Sequence, residues 1–501
     1  MPKRSTRTDK SPLLPVAINR DDDVPLHRQV FDQMRDAILS GRLTPGWRLP
    51  SSRALAQELK VSRNTILAAY DQLFAEGYTE GKIGSGTRVS RVLPEEVLAT
   101  RSSVTSANES ANKGQIRLSR VAQSLIIDRP SQRQSGGSNA FRPGVPEIDR
   151  FPWSLWSRIS AKFWRHPPRD LLSYGEAAGY GLLREAIADY LRSVRGLICD
   201  TEQVVITAGA QQAIDLTARV LIDPGDKVWI EDPGYAGIRG VLKAAGAELV
   251  PLSVDTDGLM VEEGRHVAPE ARMAVVTPSH QYPLGAVMSL SRRLELLEWA
   301  RENDAWILED DYDSEYRYGG RPLSALQGLD NAERVIYIGT FSKVLFPGIR
   351  LGYMVVPPGL SADIVAVRRS LDDQTPIAMQ PVLTEFIQSG HFAAHIRRMR
   401  TLYAERQGVL LEALNDKLPD VLSAQPDDAG MHIVADLNPK LGLHDTDIAL
   451  KVSKRQISVY PLSSFFIGSP NRNGLVFGYA GVEVRDIKSG VETLAKAIRR
   501  N

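Results

Sequence analysis

The stretch Gly339–Tyr353, "GTFSKVLFPGIRLGY", sets Lys343 beside the hydroxyls of Thr340 and Ser342, with Arg350 seven residues on. A lysine that ends a strand-like run and loses its proton readily can form a Schiff base. Upstream, "ILEDDYDSEYRY" places acids at another strand end. An acid such as Asp310 there can pair with a protonated pyridine nitrogen, which makes pyridoxal phosphate an electron sink. Further upstream, "TAGAQQAIDL" reads strand, glycine turn, helix. The backbone N–H groups of Gly209, Ala210 and Gln211 can cradle a phosphate at that helix N-terminus, and Arg350 can add charge-assisted bonds. Tyr235, in "EDPGY", is placed to stack on a ring. Each piece alone is ordinary: a lone strand-end lysine is usually a surface lysine, and an acidic triplet is usually a solvated loop. Their order carries the inference. Phosphate turn, aromatic, "PSHQYPLG" loop, acid and lysine each follow a strand, at the edge where open α/β sheets bind ligands.

The elements that must position these residues run from Phe141 onward. "QVVITAG", "DKVWIEDPG", "MAVVTPSHQYP", "AWILEDDY" and "VIYIGTFSK" alternate with helical stretches, which predicts an α/β domain with a mostly parallel sheet. At 501 residues the chain is too long for one ordinary domain. It is 43% hydrophobic and 24% charged, with a net charge of +1. No apolar run approaches the roughly 18–20 residues of a membrane helix, and the basic start "MPKRSTRTDKSPLLP" lacks the apolar segment of a secretory signal. The single cysteine, Cys199, excludes an internal disulfide framework and a cysteine-based zinc site, so no metal and a cytoplasmic location are expected.

Near the N-terminus the pattern is different. "PLHRQVFDQMRDAILSG" has helical spacing. Ser51 or Ser52 can cap a second helix and Ser62 a third, and "EGYTEGKIGSGTRVS" reads as a hairpin. Three helices and a two-stranded wing predict a winged helix-turn-helix whose third helix, from Arg63, enters a DNA major groove. The candidate DNA contacts are Arg53, Ser62, Arg63, Asn64, Thr65 and Gly86 of the wing. The domain limits are a disordered arm over 1–16, the winged helix over 17–91, a flexible linker over 92–137 and the α/β domain over 138–501. A linker of about 45 Ser-, Ala-, Gln- and Asn-rich residues reaches on the order of 40 Å.

The run "PLHRQVFDQMRDAILSGRLTPGWRLPSSRALAQELKVSRNTILAAYDQLFAEGYTEGKIGSGTRV" closely resembles the GntR-family winged helix. Residues from about 140 to 500 resemble fold-type I pyridoxal-phosphate-dependent aminotransferases, and the combination resembles the MocR family of transcriptional regulators. The resemblance implies pyridoxal 5'-phosphate held by Lys343 as the Schiff-base lysine, with Asp310 on the pyridine nitrogen and Tyr312 on the phenolic oxygen. It also implies Gly209, Ala210, Gln211, Thr340, Ser342 and Arg350 on the phosphate, and Tyr235 stacked on the ring. By the same analogy the chain forms a homodimer, head to tail with swapped domains, in which Tyr174 reaches the partner's site.

The departures are informative. "YPLG" stands where aminotransferases typically have "NPTG", so His280 or Gln281 is expected to replace the missing asparagine on the cofactor oxygen. In "NGLVFGYAG", Val476 stands where many aminotransferases carry an arginine that clamps the substrate carboxylate. Arg239 and Arg472 are the candidate substitutes. The expected function is a DNA-binding regulator that senses a small amine or amino-acid effector, or pyridoxal phosphate itself, by Schiff-base exchange at Lys343, with double-stranded operator DNA as partner. An active aminotransferase with an accessory DNA-binding domain and a dimerisation scaffold with a dead site are the alternatives. Sustained turnover distinguishes the first, and the intact set Lys343, Asp310 and Arg350 argues against the second.

Overall fold

The structure, a computed structural model, describes residues 16–82, 86–92, 117–127, 140–319 and 323–499. The expected arm up to residue 15, the wing tip at 83–85 and most of the expected linker lie outside the described residues. The chain forms two compact units, Met1–Arg117 and Leu118–Asn501.

In the first unit, α1 (Leu26–Leu39), α2 (Ser52–Glu58) and α3 (Arg63–Ala75) precede an antiparallel pair, β1 (Thr79–Lys82) and β2 (Gly86–Val89). The helices start where the sequence supplies caps. Ser51 Oγ accepts the Ala54 N–H at 3.2 Å, and Ser62 Oγ accepts the Thr65 N–H at 3.1 Å. Val30, Phe31, Met34 and Ile38 of α1 pack on Leu55, Ile66, Ala69 and Leu73, the i, i+3/i+4 faces that the helical spacing predicts. Leu39 and Phe74, which share that spacing, are exposed. Residues 16–24 are strapped to α1. Gln33 exchanges hydrogen bonds with both backbone groups of Ala17, and Gln29 does the same with Asn19. Val16, expected in the disordered arm, is buried in this core.

The second unit opens with α4 (Arg120–Ile127), inside the expected linker. That expectation fails for these residues. The polar composition around them hides an amphipathic turn, and Leu125 packs over Gly240. After α5 (Trp153–Arg165) and α6 (Gly181–Arg195) the alternation expected of an α/β domain begins: β3 (Val204–Thr207), α7 (Ala210–Leu221), β4 (Lys227–Asp232), α8 (Ala236–Ala245), β5 (Glu248–Asp255) and β6 (Gly258–Leu259). It continues through α9 (Val261–Val267), β7 (Met273–Val276), α10 (Leu290–Glu302), β8 (Trp306–Asp311), β9 (Val335–Thr340), α11 (Phe341–Val344), β10 (Gly352–Val355) and α12 (Pro358–Leu371). The strands form one sheet in the order β3-β10-β9-β8-β7-β4-β5-β6. Strands β9, β8, β7, β4 and β5 are parallel neighbours, while β10 runs antiparallel between β3 and β9. Central strands are buried on both faces, as in sheets covered by helices on both sides.

Helices α13 (Gln380–Gln388) and α14 (His391–Lys417) lead to a second sheet, β11 (Leu422–Ala424), β12 (His432–Leu437), β13 (Tyr460–Pro461) and β14 (Gly474–Gly478), with α15 (Asp445–Ser453) and α16 (Val484–Arg499) against it. Among the described residues no helix is long and apolar enough to cross a membrane.

Candidate cofactor site and DNA-reading face

The C-terminal ends of β3, β4, β7, β8 and β9 lie at one sheet edge, because all five strands run the same way. After β3, Gly209 takes φ +115° and N-caps α7. That backbone conformation belongs to glycine, and it leaves the first N–H groups of α7 without helical partners. The Arg350 guanidinium covers this turn: a Cβ on Gly209 would lie 3.6 Å from Nη2. Arg350 itself takes φ +50°. Thr340 Oγ1 accepts the Ser342 N–H at 3.2 Å, and Ser342 Oγ is buried with no hydrogen-bond partner. Tyr235 N-caps α8 and meets Tyr282 edge-on, with ring centroids 6.1 Å apart. Lys343 Nζ donates to the Gly144 carbonyl at 2.8 Å.

The acidic run is sorted by the two-residue period of β8. Trp306, Leu308 and Asp310 share one face, and Glu309 and Asp311 the other. Four of the buried acids have dedicated partners. Glu309 accepts the Leu326 and Gln327 N–H groups. Asp311 binds Arg195 at 2.6 Å and the Tyr337 hydroxyl at 2.6 Å. Asp313 faces His280, and Glu315 accepts from Tyr190. Asp310 differs, because its Oδ1 is buried and unpartnered. Burial, then the Asp311 and Glu231 carboxylates, push its pKa up to about 7, against the pull of Lys343. An acid so placed needs a cation or a hydrogen-bond donor from outside the chain.

His280 occupies the space beneath Tyr312. Its Nδ1 lies 3.2 Å from Asp313 and 3.1 Å from the Tyr312 hydroxyl, and its Nε2 lies 3.0 Å from Asp427. Burial opposes charge on the ring, but Asp313 and Asp427 outweigh it and raise its pKa to about 10. Gly430, at φ +89°, and Gly285, at φ +78°, are required here, because a Cβ on either would strike the His280 ring or the Asp427 carboxylate. His432 completes a buried group with His280 and Asp313 whose ligand-type atoms lie within 4.8 Å of one another. Its Nε2 donates to the Pro283 carbonyl, and burial and the His280 charge lower its pKa to about 3.

Several expected substitutes are employed elsewhere. Both His280 nitrogens are engaged, so the ring meets the cofactor region through Tyr312. Gln281 Nε2 donates to Glu231 and to the Pro233 and Tyr282 carbonyls, folded into its own loop. Arg239 holds the carbonyls of Gly234, Phe465 and Phe466. Arg472 pairs with Asp436 at 2.8 and 2.9 Å on the surface. Neither arginine is arranged as a carboxylate clamp. Val476 is fully buried in β14 between Val434 and Tyr460. Tyr174 is 88% exposed. Sequence reasoning missed Asp313, Asp427, Gly144 and Tyr282. Asp313 stood in the acidic run, whereas Asp427, 147 residues from His280, gave no local signal.

In the first unit, Arg53, Arg63 and Asn64 are exposed around the start of α3. Arg63 Nε reaches Ser52 Oγ at 3.4 Å, while the Ser62 and Thr65 hydroxyls pair with each other at 2.9 Å. Gly86 opens β2 at φ +84° beneath Arg48, whose Nε would lie 3.1 Å from a Cβ there.

The donor set at the sheet edge fits pyridoxal 5'-phosphate. It offers a phosphate-sized turn with an arginine and an orphan hydroxyl, an aromatic flank, an unpartnered buried acid for the pyridine nitrogen, and a lysine. When bound, the group supplies an electrophilic carbonyl and an electron sink. Residues 161–494 match the family described as aminotransferase class I and II, and residues 26–89 match the bacterial regulatory proteins of the gntR family. The chain is 42% identical to the probable rhizopine catabolism regulatory protein MocR of Rhizobium meliloti, over 96% of this chain and 95% of that one. It is 32% identical to the pyridoxine biosynthesis transcriptional regulator PdxR of Corynebacterium glutamicum, over 93% and 94% of the two chains. Among solved structures, the kynurenine aminotransferase of Pyrococcus horikoshii is similar with a TM-score of 0.67 and 28% identity, over 79% of this chain and 98% of that one. With a gntR-type winged helix at one end, an aminotransferase-type cofactor domain at the other and MocR similarity through almost its whole length, the chain belongs to the MocR family of transcriptional regulators.

Proposed function

We propose that this regulator reads a small amine or amino acid, or pyridoxal phosphate itself, through Schiff-base exchange at Lys343 and reports the result to operator DNA through the winged helix. In this reading Lys343 leaves the Gly144 carbonyl to hold the cofactor. Asp310 takes the pyridine nitrogen and Tyr312, oriented by His280, the phenolic oxygen. Gly209, Ala210, Gln211, Thr340, Ser342 and Arg350 take the phosphate, and Tyr235 covers the ring. Arg63 and Asn64 read base edges, with Arg53, Ser62, Thr65 and Gly86 positioning the module on the duplex. The active form is a homodimer.

The observation that carries the reading is the orphan Oδ1 of Asp310 beside Lys343, in a chain that also presents Arg63 and Asn64 at an exposed helix N-terminus. A route between them is supported by α4. This helix lies between the two modules in sequence and packs on α8, the helix that Tyr235 caps. An effector shifts DNA binding only if it binds two states with different affinity. Operator fragments selected from a random-sequence library, titrated with cofactor-loaded protein with and without an amine panel, test this. The amine that alters the visible absorption band should change DNA affinity in the wild type and leave Lys343→Ala unaffected. Equal responses from both proteins would refute the route through Lys343.

A further inference from the structure

The wall of the site formed by the second sheet bears on the chemistry of the effector. Val476, Leu462 and Phe465 are buried there as an apolar cluster, with Tyr282 and Tyr460 packed against it. Tyr282 stands at the centre of an aromatic group, edge-on to Tyr235, Tyr312 and Phe465 at centroid distances of 6.1, 5.8 and 5.4 Å. Carboxylate recognition needs a guanidinium or convergent N–H donors, because a carboxylate taken from water without them is strongly disfavoured. Among the described residues, three candidate positions do not offer them. Val476 carries no donor. The terminal nitrogens of Arg239 hold three backbone carbonyls, and Asp232 lies 3.9 Å from Nη2. Arg472 is bidentate on Asp436, on the surface.

The electrostatics point the same way. His280 is the ring beside Tyr312, and it faces two acids, Asp313 at 3.2 Å and Asp427 at 3.0 Å. His432, which packs on Tyr282 at 5.0 Å, is held neutral by burial. An anionic substituent would therefore meet aromatic faces and acids, whereas an uncharged or aromatic body finds ring faces and tyrosine hydroxyls.

We infer that the effector is a primary amine without a carboxylate, whose body is an uncharged hydroxylated or aromatic group. The inference rests on the reading that Lys343 exchanges its imine with the effector, and it names the class that exchange selects.

Decarboxylation pairs test it: tyramine with L-tyrosine, ethanolamine with L-serine, and propylamine with 4-aminobutyrate. The full-length, cofactor-loaded protein is titrated with each and followed by its visible absorption band, comparing pairs at equal free-base concentration. The expected result is half-saturation by each amine at a concentration at least tenfold below that of its carboxylate partner. Val476→Arg should narrow or reverse that ratio, and the wild-type ratios decide the matter even if this variant fails to fold. Carboxylate partners that bind as tightly as the amines, or more tightly, would overturn the inference. A band that no compound moves would overturn the exchange reading itself, and this inference with it. A band moved by the amines with no change in DNA affinity would sustain the inference and remove the regulatory route.

Discussion

Asp310→Asn separates the cofactor's electrostatic role from general damage to the fold. Asp310 is 5% exposed, its Oδ1 has no partner, and its pKa in the cofactor-free protein is raised to about 7. In the unfolded chain an aspartate titrates near ~3.9. An acid whose folded pKa is raised binds its proton more tightly in the native state. The resulting penalty is absent below the unfolded value, grows as pH rises between the two, and is complete above the folded one. At about 1.4 kcal/mol per pH unit of separation, it reaches about 4 kcal/mol at pH 8, of which roughly 2–3 kcal/mol develops between pH 5 and pH 8. Glu309, also raised to about 7 by burial, adds the same trend to both proteins and cancels in the comparison. Denaturant unfolding of the cofactor-free proteins at pH 5 and pH 8 is the assay. Asp310→Asn should lose less stability over that interval than the wild type, by roughly 2 kcal/mol. The same variant should bind pyridoxal phosphate about 10- to 100-fold more weakly, since a hydrogen bond to a charged partner contributes about 1.5–3 kcal/mol. Identical pH dependence in the two proteins, or unchanged cofactor affinity, would refute the assignment of Asp310 as the acid that awaits an external cation.

Gly430→Ala should destabilise the second unit by about 2–4 kcal/mol in denaturant unfolding, since it forces a Cβ onto the His280 ring at a left-handed φ. Arg63→Ala should lower the ratio of specific to non-specific DNA binding by about 1–3 kcal/mol, whereas a uniform loss on all sequences would mark a phosphate contact instead. Ser62→Ala removes the cap that holds the Thr65 N–H and should cost the winged helix about 0.5–2 kcal/mol in its thermal transition. Leu125→Asp should free α4 from α8 and diminish the change in DNA affinity that an effector produces, with the absorption response of the site intact.

Legibility differed between the two modules for physical reasons. The winged helix is local: caps at Ser51 and Ser62, apolar faces at helical spacing and a glycine wing all act within a few residues, so its elements could be placed from sequence. The glycine turn at Gly209, Asp310 and Lys343 could be placed at one sheet edge for a related reason. Each follows a strand, and a parallel sheet brings strand ends together wherever they fall in the chain. What stayed hidden is non-local. Gln281 and Arg239 look like free polar groups in sequence, yet the Gln281 amide bonds the Pro233 carbonyl 48 residues away and Arg239 the Phe466 carbonyl 227 residues away. The helix at Arg120–Ile127 was missed because polar flanks outweigh one apolar turn in any composition window, and its docking surface on α8 lies in another part of the chain.

The distribution of partners among the buried acids explains how one domain can keep a cofactor site and still serve a regulator. Asp311, Glu309 and Asp313 are satisfied from within the chain, by Arg195, by backbone N–H groups and by His280. These groups hold the sheet edge together whether or not a ligand is present. Among the described acids Asp310 leaves a buried carboxylate oxygen without a partner, as Ser342 leaves its hydroxyl, so the free energy of the unit depends on occupancy through these positions. Occupancy is then linked to conformation by mass action. The element that flanks the ring site, α8, is also the element on which the helix leading from the winged-helix module rests. A catalyst needs the same acid, but it also needs a clamp that fixes the substrate for turnover. In place of that clamp, β14 carries Val476 in an apolar wall. That wall offers no donor to orient an amino acid's carboxylate for reaction.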